Sequence, residues 1–163
     1  LVKLTSERPG DMDNRLEELN VIAPLVSYTD RISVTHQSYY YYYQRATSSS
    51  NQNTRSTDIE VFWKSVERMY RLSAEGFEPE LEFHAICELL YGASMVMARG
   101  KKPTEEFVQH MDRFQRRFPN WRRNPYLSNL PQAKRIFVEF ADKKQYLVLK
   151  MLIFAWDMRQ KLR

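Results

Sequence analysis

Thr57-Asp58-Ile59-Glu60-Val61-Phe62-Trp63-Lys64-Ser65-Val66-Glu67-Arg68-Met69-Tyr70-Arg71-Leu72-Ser73 reads as a helix with its start, face and stop written into the residues. Thr57 and Glu60 fit a capping box, in which a hydroxyl and a carboxylate satisfy opposed backbone donors at a helix start. Ile59, Phe62, Trp63, Val66, Met69, Tyr70 and Ser73 recur at three- and four-residue spacing and mark one face. Gly76 stands where a helix-ending glycine belongs. The same grammar continues downstream. Pro79 opens a second helix carrying Leu81, Ile86, Leu89, Leu90, Ala93, Val96 and Met97, with Gly100 at its end. Thr104 is expected to cap a third, with Phe107, Met111, Phe114 and Phe118 inside and Pro119 as its stop. A connector, 120–131, leads to a short helix through Ile136, Phe137 and Phe140, then to a last one over 143–163. These spacings predict a bundle of four or five helices.

Composition agrees. At 163 residues, 43% hydrophobic and 28% charged, the chain is long enough for one ordinary domain and too apolar to be wholly disordered. Its single cysteine, Cys87, excludes an internal disulfide and is expected to be a small buried residue in a reducing, cytoplasmic setting. No secretory signal is read in the charged first twenty residues. Charge is divided along the chain. Residues 99–163 hold 16 Lys/Arg against 6 Asp/Glu, and residues 1–98 hold 9 against 14. A basic C-terminal half suits an anionic surface, or attraction between the halves.

Upstream of residue 57 the pattern changes. A helix is expected from Asp11 to Ile22, with Pro24 ending or kinking it. Asp30 to His36 then reads as a short strand, with Ile32 and Val34 on one face. Tyr39-Tyr40-Tyr41-Tyr42-Tyr43-Gln44-Arg45 follows as an aromatic strand, Tyr39, Tyr41 and Tyr43 on one side and Tyr40 and Tyr42 on the other. The polar stretch 46–57 holds almost nothing to bury and suits a mobile lid or a domain boundary.

The order helix, short strand, tyrosine strand, Gln-Arg and serine-rich loop resembles the end of the catalytic domain in bacterial family 2 glycosyltransferases of GT-A fold. The resemblance covers about residues 7–57 and extends loosely to Phe118-Pro119-Asn120-Trp121 and the basic apolar end. It implies a mainly α chain, a C-terminal helical bundle after a short β segment that would end an α/β GT-A domain. The boundaries would be 1–57 for a remnant of the catalytic domain and 58–163 for a helical tail domain. No βαβ series precedes the tyrosines, so the chain is expected to be the C-terminal portion of a larger enzyme, inactive alone. The intact enzyme would transfer a sugar from a nucleotide-sugar donor to a polysaccharide or lipid-linked acceptor in cell-surface glycan synthesis. It would use a divalent metal, Mg or Mn, which this portion would not itself hold.

The resemblance assigns roles to residues. Gln44, Arg45 and Ser48, Ser49 and Ser50 would lie over the donor diphosphate. A guanidinium binds phosphate oxygens as a bidentate fork, and short hydroxyls add donors. Asp11 or Asp13 would be the general base on the acceptor hydroxyl, a role that needs hydrogen-bond reach; as residues, both also suit a helix N-terminus. His36 could reach a donor-site metal, yet His36, His84 and His110 show no metal-ligand spacing.

Two features concern partners. Arg113, Arg116, Arg117, Arg122 and Arg123 form a basic cluster beside Trp121, read either as a solvated face or as a contact for an anionic membrane. No nucleic-acid recognition motif accompanies it, and nucleic acid is not the expected partner. Tyr146 to Trp156, interrupted by Lys150, is too short to span a bilayer. It reads as a helix buried in the bundle or between subunits of a homo-oligomer, or as an interfacial helix flanked by Lys143, Lys144, Arg159, Lys161 and Arg163 on the inner face of the membrane. The reading from another class is a non-enzymatic helical interaction or membrane-association module.

Overall fold

A computed structural model describes residues 17–33, 36–37, 59–100 and 102–161. These form six helices and, among the described residues, no strand. They are α1 (Glu17–Ser27), α2 (Ile59–Leu72), α3 (Glu78–Arg99), α4 (Thr104–Arg117), α5 (Gln132–Asp142) and α6 (Tyr146–Lys161). The mainly helical bundle read from the periodicity is what the chain adopts. The Thr57–Asp58 part of the capping box and the tyrosine strand lie outside the described residues.

The long α3 is the axis of the bundle and touches α2, α4, α5 and α6. Ala85, Ile86, Leu89, Leu90 and Ala93 on it are fully buried. By length and composition α3 could cross a membrane, but 56% of its most apolar window is buried inside the bundle. Its middle, Ile86–Ala93, is π-helical between α-helical ends. Gly92 lies where α3 comes close to α2: a Cβ there would sit 3.3 Å from the Cys87 carbonyl oxygen and 3.6 Å from the Phe62 ring. On α4, Phe107, Met111 and Phe114 are fully buried and Phe118 nearly so, the inner stripe that the spacing predicted. Gly76 ends the turn after α2 at φ +91°, a conformation glycine adopts without strain.

The structure differs from the sequence reading at several points. The first helix runs through Pro24 to Ser27 rather than stopping near Ile22. Pro24 is fully buried, Ser27 Oγ donates to its carbonyl at 2.7 Å, and Ala74 N–H donates to Ser27 Oγ at 2.9 Å, so docking on α2 offsets the missing donor. Asp30–Ser33 has no strand pairing, and Ile32 is exposed. Thr104 is the first residue of α4 and not its cap; Pro103, held extended at φ −56° and ψ 146°, precedes it, with Phe107 N–H on its carbonyl at 3.3 Å. Ile136 faces out, because α5 buries Phe137, Val138 and Ala141 instead. The last helix begins at Tyr146 because Lys144 turns the chain at φ +57°.

Candidate functional site

The carboxylates Asp11 and Asp13 and the donor-site residues Gln44, Arg45, Ser48, Ser49 and Ser50 lie outside the described residues. His36 sits exposed in a bend. Among the described residues no group of three His, Cys, Asp or Glu could hold a metal ion.

The arginine cluster is sorted by its packing. Arg113 lies over the Trp63 ring, 4.0 Å from its centroid, and bridges Glu60 at 2.6 Å and Glu67 at 3.2 Å, so it ties α4 to α2. One turn on, Arg117 lies over Tyr70 at 5.1 Å. Arg122 pairs with Glu139 at 3.5 Å and with Asp142. Arg116 and Arg123 are exposed, and among the described residues no carboxylate pairs with them. Lys150 is half-buried, its ammonium 4.3 Å from the Tyr146 ring centroid.

Two buried polar centres, neither signalled by the sequence, hold the bundle in register. Trp63 Nε1–H donates to His110 Nδ1 at 3.1 Å, so that nitrogen must be the bare acceptor. The ring proton is then on Nε2, which donates to the Leu89 carbonyl at 2.9 Å, inside the π-helical run of α3. One neutral imidazole thus joins α2, α3 and α4. The second centre is Asp142, at the end of α5. Its carboxylate accepts from Trp121 Nε1 at 3.2 Å, from Gln115 Nε2 at 3.1 Å and from Arg122. The Cys87 thiol, half-buried, is pushed up by burial first and by Glu88 second, which suppresses the reactive thiolate.

Burial lowers the His110 pKa from the ordinary 6.5, with Arg113 acting in the same direction. His84 is lowered by burial as well. Neutral in the fold, His110 gains a proton on unfolding below pH 6.5. Stability is therefore fully present above that value and falls as pH drops through it, by up to about 1.4 kcal/mol per pH unit for one proton. Glu88, whose carboxyl is raised by burial, acts in the opposite sense above its ordinary 4.5. Comparing His110→Phe with the native chain in urea unfolding at pH 5.5 and 7.5 isolates the histidine. The native chain should lose more stability than the variant between the two values. Equal losses would mean that His110 is not held neutral.

The remaining feature is on α6. Tyr146, Leu149 and Ile153 pack inward, while Leu147 (73% exposed), Met151 (70%) and Phe154 (68%) form an outward row that continues to Met158. The seven-residue repeat of Lys143, Lys150 and Asp157 pointed to a wide apolar arc. Which half of that arc would face out depends on which neighbour α6 meets, and no local pattern encodes that.

No family model, curated protein or solved structure matches the chain.

Proposed function

We propose that the chain is the C-terminal part of a GT-A type family 2 glycosyltransferase, which moves a sugar from a nucleotide-sugar to a polysaccharide or lipid-linked acceptor. The helices from α2 onward are its tail domain. The observation that carries this reading is the run Tyr39–Tyr43, then Gln44 and Arg45, then Ser48–Ser50, set in the sequence between α1 and α2. That run supplies aromatic surface for packing, a fork for phosphate oxygens and short hydroxyl donors in the order a diphosphate-covering segment needs. Asp11 or Asp13 serves as the base on the acceptor hydroxyl. The setting is the cytoplasm, at the inner face of the membrane where lipid-linked acceptors are presented. A second reading, a non-enzymatic interaction module, is favoured by the outward apolar row on α6, which no described helix covers.

Calorimetric titration of the full-length polypeptide with nucleotide-sugars separates the two. Arg45→Ala should weaken donor binding about tenfold or more, since a charge-assisted hydrogen bond is worth about 1.5–3 kcal/mol. Arg45→Lys should restore part of it. Unchanged affinity in Arg45→Ala removes the transferase reading.

A further inference from the structure

We propose that the outer face of α6 lies in the surface of an anionic lipid bilayer, Leu147, Met151, Phe154 and Met158 dipping into it and the flanking bases resting on the headgroups. This deepens the peripheral placement in the reading above and rests on it, but not on any transfer chemistry. The four apolar residues recur at spacings of four, three and four, so they share one side of the helix, opposite Tyr146, Leu149 and Ile153. The apolar run of α6 is broken by Lys150 and Asp157, and the helix, packed along its inner side, is disposed to lie flat in the interface.

Charge decides what covers the row. At 100° per residue, Lys150 stands about 40° from the row's edge at Phe154 and Arg159 about 80° from its edge at Met151, past Ala155, and Lys143 stands exposed just ahead of the helix. The one acidic residue of α6, Asp157, is paired with Arg99 at 2.9 Å. A second copy laid against this face would bring like-charged margins together across a water-excluded seam. An anionic headgroup layer neutralises the same margins, and its acyl region accepts thioether and aromatic side chains without a shape requirement. The opposite sign of residues 1–98 leaves the positive field concentrated toward this end of the sequence.

The test is sedimentation of the full chain with vesicles of phosphatidylglycerol and phosphatidylcholine in equal parts, against pure phosphatidylcholine, with no nucleotide-sugar present. The bound fraction should be at least tenfold greater with the anionic vesicles and fall on adding salt. Leu147→Asp with Phe154→Asp should abolish binding at unchanged far-UV helicity, and Lys150→Glu with Arg159→Glu should remove the preference for anionic lipid. Should the first pair disturb folding, an environment-sensitive dye on Met151→Cys, in a Cys87→Ser background, should brighten on anionic vesicles alone. Equal binding to both vesicles, or a dye that does not respond, overturns the proposal. So does a lipid-free dimer that Leu147→Asp with Phe154→Asp turns into a monomer, which would give the face to a second copy. Because donor affinity is not measured, failure here leaves the Arg45 result standing, and the converse also holds.

Discussion

Phe107→Ala is expected to lower the unfolding free energy by about 4 kcal/mol, within the range of about 3–5 measured for deleting a buried aromatic. Phe107 has no exposed surface, and its ring stacks on Tyr146 with centroids 4.6 Å apart and planes 20° from parallel. Removing the ring strips apolar area from the core and leaves a void that α4 and α6 cannot both close. The Tyr146 hydroxyl donates to the Met97 carbonyl at 2.8 Å and contacts the Lys102 carbonyl at 2.9 Å, so its ring is pinned and cannot swing into the gap. Since a domain holds only about 5–15 kcal/mol in total, the variant should sit near the edge of folding. Urea unfolding gives the number, with Phe107→Leu expected to keep most of the stability. A loss below about 1 kcal/mol in Phe107→Ala would show that the stack contributes little.

Asp142→Ala should cost about 3 kcal/mol, through a different mechanism. The ion pair itself is the smaller part, because the Arg122 side chain is half exposed and water screens it. What the substitution orphans is the Trp121 indole N–H, in a residue only 2% exposed, whereas Gln115 Nε2 keeps the Asp142 backbone carbonyl at 2.8 Å. Asp142→Asn keeps an acceptor oxygen and should lose only about 1 kcal/mol, a typical single hydrogen bond. If the two variants lost equal stability, the charge rather than the indole bond would dominate.

The helices from Ile59 to Phe118 were legible because their apolar residues keep a three- and four-residue beat, with Gly76, Pro79, Gly100 and Pro119 as punctuation. What the sequence obscured was decided by tertiary contact. Pro24 reads as a stop only while its ring is imagined in water; buried against α2, it becomes an interior residue. In α5 the neighbouring apolar residues Ile136, Phe137 and Phe140 leave the phase of the helix open by one position. The structure settles it toward Phe137 and Val138. The π-helical run has no compositional signature. His110 finds its partners 47 and 21 residues away, a distance at which periodicity carries no information. The candidate base, Asp11 or Asp13, and the candidate donor-site residues Gln44, Arg45 and Ser48–Ser50 lie outside the described residues.

The placement of the three indoles divides the molecule optically. Trp63 and Trp121 are shielded and each is hydrogen-bonded to a titratable side chain, whereas Trp156 is 54% exposed near the end of the chain. Intrinsic emission therefore mixes a blue component from the interior with a red one from a single peripheral fluorophore. Dissolved quenchers reach the red component first, so one native spectrum separates the packed interior from the exposed end of the bundle.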